Sequence, residues 1–219
     1  MQCVRIWFRK TGRVKYVSHL DIMRCMTRAV RRAKIPLWYT EGFNPHPYLN
    51  FLQPMPLGIE GMEEPLDIRI EGDITKEEIR DNLNAVLPEG LSIVRVTEPY
   101  MKPTDIAFAS YEIVLENEEN LTDKLTDAMN SGALTCEKMG KVNGRKRIKQ
   151  VNVSENIKQY ELKVRDGQLV LTVIFPCGNT KNVNPLNLMT AVNAYLDADI
   201  VPLNIVRLGL LDENLLRFE

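Results

Sequence analysis

The chain has 219 residues, 28 Lys and Arg against 29 Asp and Glu, and 44% hydrophobic residues. This is a globular composition that excludes disorder and collagen-like repeats, and no apolar run approaches the ~18 residues of a membrane span. The net charge of −1 conceals a segregation, with residues 1–50 at net +8, residues 51–103 at −6 and residues 104–219 at −3. Local clustering of charge, not its average, steers a polyanion, so the basic opening keeps a nucleic-acid partner in play. Met1–Phe8 has neither a charged lead-in nor a long apolar region, so a cytoplasmic protein is expected and no membrane partner. Cys3, Cys25, Cys136 and Cys177 are scattered without C-x-x-C spacing. They are expected to be small buried hydrophobes, with no metal and no cofactor.

Residues 3–9 alternate Val4, Ile6 and Phe8 with Arg5, Trp7 and Arg9, the period of a strand. After a turn at Gly12-Arg13, a helix is predicted from Ser18 to about Ala33, closed by Pro36 and opened by a Ser18/Asp21 capping box. Leu20, Met23, Met26 or Thr27, Val30 and Ala33 form its expected buried stripe. Extended segments follow around 37–40, 48–52 and 66–71. A second helix runs from about 75 to 87, with Ile79, Leu83 and Leu87 inward, and a strand covers 91–97. The stiff run Pro99-Tyr100-Met101-Lys102-Pro103 reads as a domain boundary.

Beyond it the order repeats. There is a strand over 107–115, a helix over 121–129, a hairpin of 158–165 with 168–175 across Asp166-Gly167, a helix from Asn184-Pro185 to about Leu196, and a strand over 205–211. An extra hairpin, about 134–152, turns at Asn143-Gly144. The reading is an α+β chain of two tandem ferredoxin-like (βαββαβ) domains with antiparallel sheets, residues 1–103 and 104–219.

Four features carry possible chemistry. Arg24, Arg28, Arg31 and Arg32 share one side of the first helix, and Lys34 extends it. No acid stands four residues from any of them, and guanidinium forks match phosphate oxygens. The plainer alternatives are a solvated face, or pairing with the acidic 51–103 segment. In Gly42-Phe43-Asn44-Pro45-His46-Pro47 two prolines bracket an imidazole beside a phenyl ring able to stack on a base, the alternative being a rigid surface turn. His19 opens the helix and, were it to meet His46, the pair could act as acid and base in metal-free RNA cleavage; a satisfied, half-buried His19 is the plainer reading. Arg145, Lys146, Arg147 and Lys149 crowd a hairpin arm, either as a basic ribbon for nucleic acid or as protection of a strand edge. Nucleotide-loop, zinc-protease, esterase-elbow and calcium-loop motifs are missing, and no carboxylate dyad is readable.

The run Ser18-His19-Leu20-Asp21, Arg24, Arg28-Ala29, Arg31-Arg32-Ala33, Gly42-Phe43-Asn44-Pro45-His46-Pro47, Pro56-Leu57-Gly58 and Asp67 resembles the radical-SAM-associated domain family of bacteria. The resemblance is strongest over about 1–72. Members of that family are fused to radical SAM proteins or encoded beside them, which implies a radical SAM partner. The cysteine motif that holds the cluster of such enzymes is not in this sequence, so any radical chemistry would reside in the partner. A looser similarity is to tandem ferredoxin-like endoribonucleases that process CRISPR repeat RNA. In place of their glycine-rich loop stands Phe175-Pro176-Cys177-Gly178-Asn179.

The expectation is an RNA-binding accessory module, without catalytic activity of its own, that presents structured RNA (tRNA or rRNA) to a radical SAM enzyme. Its contacts would be Arg24, Arg28, Arg31, Arg32, Lys34, Phe43, His46, Arg145, Lys146, Arg147 and Lys149. The alternatives are a metal-independent endoribonuclease using His19 and His46, and a protein–protein adaptor.

Overall fold

The computed structural model describes residues 1–142, 145–178 and 181–219, with side chains for all but 138–142, 145–147 and 149. In chain order the elements are β1 (Gln2–Lys10), α1 (His19–Arg32), β2 (Leu49–Phe51), β3 (Glu60–Ile70), α2 (Lys76–Asn84), β4 (Leu91–Thr97), β5 (Phe108–Glu116), α3 (Leu121–Asn130), β6 (Thr135–Val142), β7 (Arg145–Asn152), β8 (Gln159–Arg165), β9 (Gln168–Pro176), α4 (Pro185–Leu196) and β10 (Asn204–Leu211). This is a mixed α+β architecture with mostly antiparallel sheet pairing, and among the described residues no helix is long and apolar enough to cross a membrane. The chain divides into one unit of residues 1–106 with 206–219 and another of residues 107–205.

In the first unit β1 lies between β4 and β3, antiparallel to both, with Ile6 opposite Leu66 and Val96. β2 adds antiparallel to the far end of β3 (Leu49 to Ile68), and β10 runs parallel to its beginning (Val206 to Glu60). Val4, Ile6 and Phe8 pack with Leu66, Ile68 and Ile70 under Ile22, Met26, Ala29 and Val30 of α1 and Ile79 and Leu83 of α2. Each such aliphatic side chain contributes about 1.5–3 kcal/mol by leaving water. The buried stripe of α1 is therefore centred on Ile22, Met26, Ala29 and Val30, whereas Leu20 is 53% exposed and Met23 only half-buried. With Leu20, Ile22, Met23, Cys25 and Met26 spread round the helix, apolar spacing alone leaves the docking face ambiguous; contact with the sheet selects it.

The opposite face of β1 is not solvated either. Arg5 and Trp7 are fully buried, covered by Arg95 (4.1 Å from the Trp7 ring), Met101 and the end of the chain. Phe218 sits 6.2 Å from the Trp7 ring and 4.7 Å from the Arg5 guanidinium. Arg5 donates to Asp67 Oδ1 at 2.7 Å, and to the Met101 and Glu219 carbonyls at 2.9 Å each. This is why residues 206–219, read in sequence as the close of the second domain, belong to the first unit. It also means that 99–103 is pinned rather than free, since Met101 N–H donates to Glu219 O at 2.8 Å.

A second buried pair joins Arg207 of β10 to Glu64 of β3, both essentially inaccessible. β3 begins at Glu60, six residues before the expected strand, because its acids are satisfied from a distance. Glu63 takes Arg95 and Arg217, Glu64 takes Arg207, and Glu60 accepts the Gly12 N–H at 2.8 Å. Gly61 is required beside them, as a Cβ there would fall 2.5 Å from the Glu64 carboxylate.

In the second unit β9 lies between β5 and β8, antiparallel to both. Its core is Tyr111, Ile113 and Leu115 of β5 with Leu125 of α3, Leu188 and Val192 of α4, and Leu171, Val173 and Phe175 of β9. Asp166 and Gly167 both have positive φ (53° and 77°), the conformation the tight turn between β8 and β9 requires. Asn184 caps α4 by accepting the Leu186 N–H at 3.0 Å. β6 and β7 pair as the inserted hairpin.

Candidate nucleic-acid interface

α1 starts where Ser18 accepts the Asp21 N–H at 3.2 Å, while the Ser18 hydroxyl donates to the Asp21 carboxylate at 2.7 Å. The carboxylate thus faces the hydroxyl rather than the Ser18 backbone, and it also holds Arg24 at 3.1 Å. These bonds, Ser18 first, hold the Asp21 carboxyl below its usual range. The helix ends in a Schellman turn, with Ile35 N–H to Val30 O and Lys34 N–H to Arg31 O. Lys34 occupies the left-handed position at φ 54°, where glycine is the relaxed choice. A basic residue is thereby held at the negative end of the helix dipole, beside the arginines.

Arg24, Arg28, Arg31 and Arg32 are all exposed and, with Asp21 and Cys25, line one open groove of about 650 Å³ along the outside of α1. Among the described residues only Arg24 of the four has an acid partner, three residues away, in a solvent-exposed pair of small energetic weight. Arg32 donates to the Val86 carbonyl at 2.8 Å, which orients the side chain without neutralising it. Arg31 lies 6.0 Å over the ring of Tyr39. Among the described residues no acid of the 51–103 segment pairs with this face; Glu63, Glu64 and Asp67 pair instead with Arg95, Arg217, Arg207 and Arg5.

Tyr39 carries the helix surface over to the 40–47 loop, for it bridges Pro47 across the loop's neck. Thr40 closes the neck on both sides: its N–H donates to His46 O at 2.9 Å, and its hydroxyl accepts the His46 N–H at 3.2 Å. Below, the Arg69 guanidinium lies over both Trp38 (5.1 Å) and Tyr48 (4.4 Å), whose rings meet each other edge-on at 6.5 Å. Residues 41–46 are exposed, and Phe43 at the tip is wholly so. The helix arginines and this loop are therefore contiguous through Arg31 and Tyr39.

His19 and His46 are not brought together. His46 Nδ1 contacts Thr40 Oγ1 and Asn44 O, both at 3.1 Å, within its own loop. His19 instead meets the Phe51 ring edge-on at 5.3 Å and lines a small inner pocket with Lys10 and Gln53. Burial, then the Lys10 and Arg207 charges, push its imidazole below the ordinary histidine range. The buried Lys10 ammonium, which donates to Val17 O at 3.1 Å, is likewise lowered by burial.

Because folding depresses the His19 pKa, the unfolded chain binds the extra proton first. Stability is complete above the unfolded value of about 6.5 and falls as pH drops below it, levelling off under the folded value. Urea midpoints at pH 7.5 and 5.5 should differ for the parent chain and differ less for His19→Gln; an unchanged difference would reject this role.

The side chains of Arg145, Lys146, Arg147 and Lys149 lie outside the described residues, and they belong to the other unit. Sequence reasoning missed Tyr39 and Thr40, although Trp38-Tyr39-Thr40 facing His46-Pro47-Tyr48 across the loop is a hairpin-like pairing of aromatics that marks a closed neck. It also missed Lys10, Glu64 and Arg207, which carry no local signature.

Residues 4–185 match the model of a family described as uncharacterised proteins conserved in bacteria (DUF2344). The chain belongs to that family. A search of curated proteins finds no match. Among solved structures, a chain of a Cbf5-Nop10-Gar1 complex is similar in fold at TM-score 0.50 and 8% identity, over 94% of this chain and 48% of that one. The family member thus spans about half the length of that chain, and the likeness supports the mixed α+β architecture alone. A protein from Galdieria sulphuraria aligns over 92% of this chain and 96% of that one, at 13% identity and TM-score 0.25.

Proposed function

We propose that this protein is an RNA-binding accessory module that presents structured RNA, a tRNA or rRNA, to a partner radical SAM enzyme. The observation that carries the reading is the outer face of α1. Arg28, Arg31 and Arg32 stand in one groove without a carboxylate partner, next to an exposed aromatic loop. A cationic row flanked by stacking groups suits phosphates and bases together. We further propose two ferredoxin-like repeats, β1-α1-β2-β3-α2-β4 and β5-α3-β8-β9-α4-β10, most of β10 belonging to the first unit; the element order supports the reading. The radical SAM partner rests on the sequence resemblance over residues 1–72. The separate surroundings of His19 and His46 favour binding over metal-free cleavage.

Filter binding of bulk tRNA across a salt series tests the reading. Affinity should fall by about 0.7–0.9 log units per log unit of salt for each phosphate held. Arg28→Glu with Arg31→Glu should weaken binding at low salt and reduce the slope by about 2. No retention of tRNA by the parent chain at low salt would overturn the proposal. Nuclease-insensitive capture of a radical SAM protein that is lost in the same variant would then assign the α1 face to protein docking.

A further inference from the structure

Resting on the RNA-binding reading, we propose that the 40–47 loop takes one unpaired nucleotide, stacked on Phe43 and bonded to His46 Nε2, while the α1 arginines hold the adjoining phosphates. The substrate class is then RNA with an unpaired loop or bulge beside a stem, rather than continuous duplex.

The first ground is the exposure of Phe43. A phenyl ring standing wholly in water is unfavourable, and a slack loop would fold it back onto the protein. Here the loop cannot slacken: Thr40 ties both strands of the neck, Pro45 and Pro47 restrict the backbone on either side of His46, and the Trp38–Tyr48 edge-to-face pair with Arg69 over both rings holds the foot of the loop. Gly42 at φ 123° turns the chain into open space and leaves the following ring without neighbours. A platform fixed before its ligand arrives loses little further entropy on binding.

The second ground is the anchoring of His46. Its Nδ1 lies 3.1 Å from both Asn44 O and Thr40 Oγ1, so the loop holds the ring through Nδ1, and among the described residues Nε2 has no partner. Every base has an N–H donor on its Watson–Crick edge, and that edge is free only when the base is unpaired. Each base also has an acceptor on that edge, so an imidazole nitrogen beside a flat ring suits the free Watson–Crick edge of any unpaired base in either tautomer, which makes the site tolerant of sequence.

The third ground is the track leading to it. Arg24, Arg28 and Arg32 follow at steps of four residues, about 6 Å of helix axis each, so the row can follow successive phosphates of one strand. Arg31, over Tyr39, connects that row to the loop. The deep, narrow major groove of duplex RNA would not admit such a helix, whereas a strand leaving a stem presents both phosphates and splayed bases.

Fluorescence anisotropy with the full chain tests this, comparing a stem–loop RNA with a blunt duplex of equal length at matched salt. The stem–loop should bind about tenfold more tightly, and Phe43→Ala should bring the ratio near one without affecting folding, since the ring touches nothing. A 2-aminopurine in the loop should lose fluorescence on binding the parent chain and keep it with Phe43→Ala. Equal, salt-sensitive binding of both RNAs, unaltered by Phe43→Ala, would overturn this inference and leave the RNA-binding reading intact. Failure to bind either RNA would overturn both.

Discussion

Replacing Glu64 by alanine should destabilise the first unit by about 3–5 kcal/mol, the cost of leaving a buried charge without its counter-ion. Arg207 donates to Glu64 from Nε and Nη2 and to the Gln53 and Pro54 carbonyls, with the ammonium of buried Lys10 nearby. Without the carboxylate, two positive groups share an interior that water cannot reach. Removing both partners is the informative control, because Glu64→Met with Arg207→Met leaves the Lys10 ammonium as the one charge of the three and should cost less than Glu64→Ala. The protein has two tryptophans, Trp7 and Trp38, both in this unit, so fluorescence in urea reads its unfolding separately. A loss below about 1 kcal/mol for Glu64→Ala would show that the pair is not electrostatically isolated.

Phe218→Ala should be nearly as severe, again about 3–5 kcal/mol, although it changes a residue next to the end of the chain. Phe218 is 1% exposed, fills the space against Trp7, and lies over the Arg5 guanidinium. Its removal leaves a cavity on the face of β1 that carries the buried Arg5–Asp67 pair. Phe218→Leu conserves most of the volume and should cost markedly less. The same urea titration checks both variants, and a Phe218→Ala chain that unfolds with the parent would mean that the 206–219 segment is not part of the unit's core.

The local signals were legible where chemistry is local. β4 spans the expected 91–97, α2 opens at the expected 75 with Thr75 and Glu78 capping each other, and α4 is capped by Asn184 with Pro185 in its first turn. The arginine row and the exposed loop were both readable, since helical spacing and bracketing prolines are short-range facts. What failed was everything decided by distant partners. Glu60–Glu64 lies ahead of the strand expected from 66, and it is Arg207, 143 residues after Glu64, that holds it in the sheet. Arg5 reads as the wet side of β1 until Phe218 covers it. The contact between Arg31 and Tyr39, which links the row to the loop, depends on where α1 docks, and the scatter of apolar residues round that helix left the docking face open.

The interrupted build of the first unit has a consequence for the nascent chain. When residues 1–106 have left the ribosome, Glu64 still lacks Arg207, Arg5 lacks the 218–219 segment, and the start of β3 offers an unpaired edge. At about 5–20 residues per second, synthesis of the roughly 100 residues from 107 to Arg207 takes about 5–20 s, far longer than a helix or hairpin needs to form. The N-terminal half must therefore wait, partly collapsed and with a strand open to foreign pairing, until its last strand arrives. Chaperone demand during translation, rather than stability of the finished protein, is where this arrangement will be felt.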